Sequence, residues 1–234
     1  MSTQIKAQKI KKTKASDIFF LAAIAFLLFL IEPVLIALIG MRGFGLTIAA
    51  RAICIVAWVF CAKGLINTAK KECGWDMLDK KNAPSALQWT LVSVITAAVV
   101  AYFVWNKYYV ITSNITSLTM AKNIIAFSSM ILLNAFKAIA ITLFLAFVQK
   151  GCELSFKAGK WLPLGGVALG IIWAVMFILS GSAMWGSPAG FDWFYSIYQF
   201  AFGLVCGIVF VATGNRARYA FPFMIVISLF MFLS

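Results

Sequence analysis

The chain has 234 residues, of which 63% are hydrophobic and 12% charged, and its formal net charge is +13. A water-soluble domain of this length needs more polar surface than this composition supplies, so the sequence excludes an ordinary soluble globule. The positive charge lies in short segments between apolar stretches and not on one folded face, which argues against nucleic acid as a partner. We expect the partner to be the lipid bilayer with its anionic headgroups.

The apolar stretches are about 20 residues long, the length of helix that crosses the hydrocarbon core of a bilayer. The first is too long for the core of a signal peptide and is therefore interpreted as a span. The pattern predicts a basic N-terminal segment (1–17) and one all-α transmembrane domain (18–234), a polytopic helical bundle of about seven spans, six to eight. The predicted spans are 18–40, 44–62, 86–105, 123–148, 162–181, 193–212 and 220–234.

Lysine and arginine are distributed unevenly between the two sides of this bundle. Fifteen of the twenty fall in segments 1–17, 63–84, 149–161 and 213–219, which all lie on the side of the N-terminus. Because positive residues are retained in the cytoplasm, the pattern predicts a cell-membrane protein with a cytoplasmic N-terminus. The loop at 63–84 fits either an interfacial amphipathic helix or a plain connection.

Three ionisable residues, Glu32, Arg51 and Lys137, fall inside the predicted spans, where charge is costly and marks either a paired or a functional site. Glu32 and Arg51 are expected at similar depth on adjacent helices, and an ion pair that fixes helix register is preferred over a substrate or proton site. Lys137 lies on the same face of span four as Asn134. It could share Glu32, snorkel, occupy a water-filled cavity or be neutral. The four residues together predict a central polar cavity.

Small residues recur four apart in two later spans. Gly166 with Gly170, and Gly203 with Gly207, allow helix backbones to approach closely. The spacing therefore predicts tight packing between spans five and six.

The residue types present restrict the possible chemistry. The chain has no histidine, which removes the commonest general base and zinc ligand, and its five cysteines form no C-x-x-C pair. We expect no metal and no cofactor. Glu153, beside Cys152 at the end of span four, is the carboxylate at a span edge that could act as a base.

A pattern of residues in the second half, 149–234, resembles a known family. Cys152 and Glu153 are followed by Lys157, then by Trp173 and Phe177 in the next span. A Thr-Gly-Asn turn at 213–215 and a proline at 222 come later. This order resembles the CAAX-protease and bacteriocin-processing (CPBP) intramembrane proteases, which carry Glu-Glu-x-x-x-Arg, then Phe-x-x-x-His, then a further histidine.

At most of the positions that the resemblance matches, this chain has a different residue from the family. By position, Cys152 replaces the first glutamate, Glu153 matches the second, Lys157 replaces the arginine, Trp173 the phenylalanine and Phe177 the first histidine. It implies a bacterial inner-membrane protein with a CPBP-like fold that binds a membrane protein, peptide or lipid without cutting it, in a scaffold or self-immunity role.

Two other functions are compatible with the same residues. One is an active intramembrane endopeptidase with Glu153 as base and Cys152 as nucleophile or metal ligand, assisted by Lys150 and Lys157. The other is a small-solute transporter whose polar cavity contains Glu32, Arg51 and Lys137.

Overall fold

The computed structural model describes residues 13–38, 44–79, 83–116, 121–156, 160–183 and 193–232. Within these ranges the chain forms seven α-helices and no strand, which confirms the all-α helical bundle. The helices are α1 (Ala15–Leu38), α2 (Phe44–Glu72), α3 (Ala86–Thr116), α4 (Ala121–Ser155), α5 (Leu164–Ala183), α6 (Trp193–Ala212) and α7 (Ala217–Phe232).

Four helices, α1 to α4, contain an apolar stretch long enough to cross a bilayer. The apolar parts of α5, α6 and α7 within the described residues are shorter. The chain is thus a helical membrane protein, while the count of seven spans and the orientation of the N-terminus stay predictions. The shorter apolar stretches are Leu164–Met176, Ser196–Ala212 and Ala217–Leu229.

Helix α4 lies at the centre of the bundle. It contacts α1, α2, α5, α6 and α7, and 67% of its apolar stretch is buried, against 28% or less for the other three long helices. One cluster of buried apolar side chains draws on all seven helices. Helix α4 therefore positions most of the side chains described below.

The helices meet at one end that carries much of the positive charge, here called the basic end. There α4 ends near Ser155, α5 begins at Leu164, α6 ends at Ala212 and α7 begins at Ala217. Helix α1 runs antiparallel to α4, since an early residue of α1, Phe19, lies against the position of Gly151 late in α4. The basic end therefore includes the start of α1.

The glycine pairs of α5 and α6 face each other, which confirms their predicted close packing. A Cβ atom built on Gly166 would lie 2.5 Å from the Cα atom of Gly207, and one built on Gly170 would lie 2.6 Å from the carbonyl oxygen of Phe200. Only a residue without a side chain fits at such backbone contacts.

Helix α2 continues to Glu72, ten residues beyond the end of the predicted span, and the chain then turns back onto the bundle. Gly74 has a positive φ of 66°, and the N–H of Trp75 donates to the carbonyl of Ala69 at 3.1 Å. Met77 is buried. Residues 73–79 are therefore a folded connection without a helix, so the plain connecting loop is the alternative that holds for this described part of 63–84.

Candidate functional site

The polar residues at membrane depth are paired with one another differently from expectation. The ammonium of Lys137 lies 2.6 Å from the carboxylate of Glu32, and the two side chains are only 13% and 18% exposed. The guanidinium of Arg51 donates to Ser129 Oγ at 2.7 Å. The expected Glu32–Arg51 ion pair is thus replaced by Glu32–Lys137, in agreement with the alternative that Lys137 shares Glu32.

The reason for the different partner is helix register. Ser129 and Lys137 are eight residues apart on α4, about 12 Å along the axis. Arg51 and Glu32 therefore contact α4 at different depths, although the sequence predicts similar depths for them. Asn134 is buried between these two levels of α4. The predicted cavity bounded by these four residues stays a prediction.

A cavity of about 710 Å³ lies at the basic end, between the end of α4, the segment before α5 and the end of α6. Its lining contains three cations, Lys150, Lys160 and Arg216, and one carboxylate, Glu153. Two indole rings, Trp75 and Trp161, and several polar side chains complete it. Positive charge therefore exceeds negative charge in this cavity, which we call the basic-end cavity. Its other polar lining residues are Gln88, Gln149 and Asn215.

Glu153 is held in the cavity wall by two donors. Lys150, one turn earlier on α4, approaches one carboxylate oxygen at 3.1 Å, and the side-chain amide of Asn215 donates to the other at 2.6 Å. The same amide nitrogen donates to the carbonyl of Lys160 at 3.0 Å. Asn215 thus links the end of α4 to the segment before α5.

The end of α6 explains why Asn215 reaches Glu153. The N–H of Gly214 donates to the carbonyl of Val211 and the N–H of Asn215 to that of Phe210, at 2.9 and 3.1 Å, the double bond pattern of a Schellman cap. Gly214 and Asn215 have φ of 75° and 59°, a left-handed conformation that glycine and asparagine tolerate best. The turn directs the asparagine side chain back toward α4.

Gln149 fixes the opposite wall. Its side chain is fully buried, its amide nitrogen donates to the carbonyl of Leu162 at 2.8 Å, and its amide oxygen accepts the N–H of Gly165 at 3.0 Å. Gly165 is in the first turn of α5, where backbone N–H groups have no partner within the helix. Gln149 therefore caps α5 and holds its start against α4.

The structure brings together only part of the residue set that the resemblance singled out. Glu153 lines the basic-end cavity, while Cys152 beside it is half-buried and packs against the apolar core. Trp173 lies among aromatic rings, with its centroid 6.0 Å from that of Phe29 and 5.2 Å from that of Phe202.

Two further residues of that set cannot be compared in the same way. Lys157 lies outside the described residues, and Phe177 belongs to α5 but its side chain is outside what the structure describes. Glu153 and Lys137 are sixteen residues apart on α4, about 24 Å, so they belong to separate sites.

Sequence reasoning missed four residues of the cavity: Lys150, Lys160, Asn215 and Arg216. Lys160 and Arg216 had counted only as evidence for orientation, and Lys150 otherwise only as a cation near Cys152. The Thr-Gly-Asn turn at 213–215 was a usable signal, because glycine followed by asparagine after an apolar helix is typical of a Schellman cap.

The side chains that line the cavity favour anion binding over acid–base chemistry. Both oxygens of Glu153 already accept a hydrogen bond, and the chain has no histidine to act beside it. Within the described ranges, no group of three or more Cys, Asp or Glu side chains is close enough to hold a metal ion. Charge-assisted hydrogen bonds from lysine and arginine are strong ligands for carboxylate and phosphate groups.

Comparisons of the chain with protein-family models, with curated proteins and with solved structures gave no match.

Proposed function

We propose that this membrane protein is non-catalytic and binds an acidic peptide segment of a membrane partner in the basic-end cavity. The observation that carries the proposal is the composition of the cavity wall, with three cations, Lys150, Lys160 and Arg216, and one carboxylate that is already engaged. An acidic ligand would compensate the excess positive charge.

Size and surface favour a peptide over a small inorganic anion. The volume of about 710 Å³ lies in the usual range of ligand sites, roughly 300–1,000 Å³. The rings of Trp75 and Trp161 offer flat apolar surface, and Gln88 offers hydrogen bonds of the kind that a peptide backbone uses. Free phosphate would leave these groups unused.

The CPBP-like fold and the cytoplasmic location of the basic end are parts of this proposal. The excess of lysine and arginine in the segments around the basic end supports the location. The missing histidines and the hydrogen-bonded Glu153 support a role in binding, of the scaffold or self-immunity type, over proteolysis.

The test uses the purified full chain in a neutral detergent and a fluorescein-labelled acidic decapeptide that alternates glutamate with apolar residues. Fluorescence anisotropy should show saturable binding that weakens with salt, because the contacts are electrostatic. A peptide with lysine in place of every glutamate should not bind. Arg216→Gln should weaken binding of the acidic peptide by about tenfold, the loss of one charge-assisted contact.

Arg218→Gln is the matched control, because Arg218 carries the same charge at the same end but does not line the cavity. Equal losses in the two variants would show that net charge alone attracts the peptide, and the proposal would be wrong. Mass spectrometry of the recovered peptide checks catalysis. Cleavage that disappears in Glu153→Gln would replace the binding function by the endopeptidase alternative.

A further inference from the structure

A second cavity, between α2, α4 and α7, has a different character. Its volume is about 540 Å³, and its walls are mostly apolar side chains from these three helices and from the connection after α2. We call it the apolar groove. Its apolar lining residues are Val59, Ala62, Ile66, Met77, Leu78, Ile139, Leu143, Ala217 and Phe221.

Two cations line the same groove. Lys63 lies in the second half of α2 and Arg218 in the first turn of α7, and both side chains are exposed. No carboxylate is among the described residues that line the groove. Long basic side chains of this kind keep their charged ends at the membrane surface while their stems follow the apolar wall.

We infer that the apolar groove binds one acyl chain of an anionic phospholipid, whose phosphate is held by Lys63 and Arg218. An acyl chain matches the apolar wall, and a phosphate beside it matches the two cations of the lining. A free anion would leave the apolar wall exposed. This site is separate from the basic-end cavity and does not depend on the function proposed for it.

The experiment counts lipids that stay bound to the full-length protein. The protein in neutral detergent is titrated with dioleoyl phosphatidylglycerol or with the zwitterionic dioleoyl phosphatidylcholine, which has the same chains, and is analysed by native mass spectrometry. We expect one phosphatidylglycerol to be retained at concentrations where phosphatidylcholine is not. Lys63→Gln/Arg218→Gln should weaken its binding by about tenfold or more.

The matched charge control is Lys14→Gln/Lys71→Gln, which removes the same two charges from exposed positions outside the groove lining. It should bind phosphatidylglycerol like the unchanged protein. Equal retention of the two lipids, or equal losses in the two double variants, would overturn the inference. So would displacement of the lipid by inorganic phosphate alone, which would identify a site for a free anion.

A second pair of variants tests the apolar part of the site. Val59 lines the groove and is 41% exposed, whereas Val56, about one turn earlier on α2, is 54% exposed and does not line it. Val59→Trp should fill the groove and reduce lipid retention, while Val56→Trp should leave it unchanged. If Arg216→Gln removes the lipid and Lys63→Gln/Arg218→Gln does not, the lipid occupies the basic-end cavity and the inference fails.

Discussion

The Glu32–Lys137 pair and the basic-end cavity use the same residue types in opposite ways. At membrane depth one carboxylate meets one ammonium at 2.6 Å, and both side chains are largely buried. At the basic end one carboxylate stands among three cations around an open space. In the first arrangement the two charges neutralise each other, whereas the second keeps positive charge available to a ligand.

This difference indicates which charges fold the protein and which serve binding. Removing one partner of a buried pair leaves a charge in an apolar environment, so the cost falls on stability. Removing a charge from a solvated cavity changes the field that a ligand experiences, so the cost falls on affinity. The following predictions separate these two effects, beginning with the largest.

Glu32→Gln should destabilise the protein strongly, by about 3–5 kcal/mol, because it leaves the ammonium of Lys137 buried without its carboxylate. Thermal unfolding in detergent measures the effect. Glu32→Leu/Lys137→Met should recover most of the loss, since it removes both charges together. A single variant as stable as the unchanged protein would show that Lys137 reaches water and that the pair is not structural.

Gln149→Ala should destabilise by about 1–3 kcal/mol, because the carbonyl of Leu162 and the N–H of Gly165 lose their partner in a buried place. Gln88→Ala is the matched control. The amide oxygen of Gln88 accepts the N–H of Ser85 at 2.8 Å at the start of α3, in an exposed position where water can replace it. Equal unfolding temperatures for the two variants would contradict the assigned role of Gln149.

Glu153→Gln should change stability by no more than about 1 kcal/mol, although Glu153 itself is only 17% exposed, because glutamine still accepts the hydrogen bond of Asn215 and the ammonium of Lys150 lines the cavity, where water can replace the carboxylate. It should instead strengthen binding of the acidic decapeptide several-fold, because the cavity loses its carboxylate and keeps three cations. Anisotropy titrations measure this. Weaker binding in Glu153→Gln would show that the carboxylate orients the ligand or its lysine neighbour, and would contradict the simple charge argument.

The smallest expected effect concerns pH and the connection after α2. A hydrogen bond from the ammonium of Lys70 holds the pKa of Asp76 below its ordinary value of 3.8. Because the folded-state pKa is lowered, this contribution to stability is present above pH 3.8 and is lost as the pH falls through the lowered pKa. Asp76→Asn should show a slightly flatter decline of the unfolding temperature below pH 3.8. Identical pH profiles would show that the pair adds nothing.

The sequence predicted those features of the fold that depend on local patterns. The bounds of α6 agree with the predicted span 193–212, and the glycine spacing of α5 and α6 identified their contact. The predicted end of the second span at 62 was ten residues short for the helix. Hydropathy identifies the apolar part of a helix but not its polar continuation. The continuation of α2 contains lysine, alanine and glutamate, which favour helices in water.

The site was harder to predict from the sequence, because it depends on contacts between segments that are distant along the chain. Glu32 and Lys137 are 105 residues apart, and their pairing follows from the register of α1 against α4. Asn215 reaches Glu153 across 62 residues. Composition shows that such polar residues need partners, but it does not fix which of several cations a carboxylate meets.

The glycine contact between α5 and α6 has a consequence for how the protein is assembled. No lipid tail can enter between two helices whose backbones touch, so we expect α5 and α6 to pack against the other helices as one unit. The segment with Lys160 precedes this unit and the turn with Asn215 follows it, both at the basic end. The glycines of this contact, which carry no side chain, therefore help to fix the width of the cavity mouth.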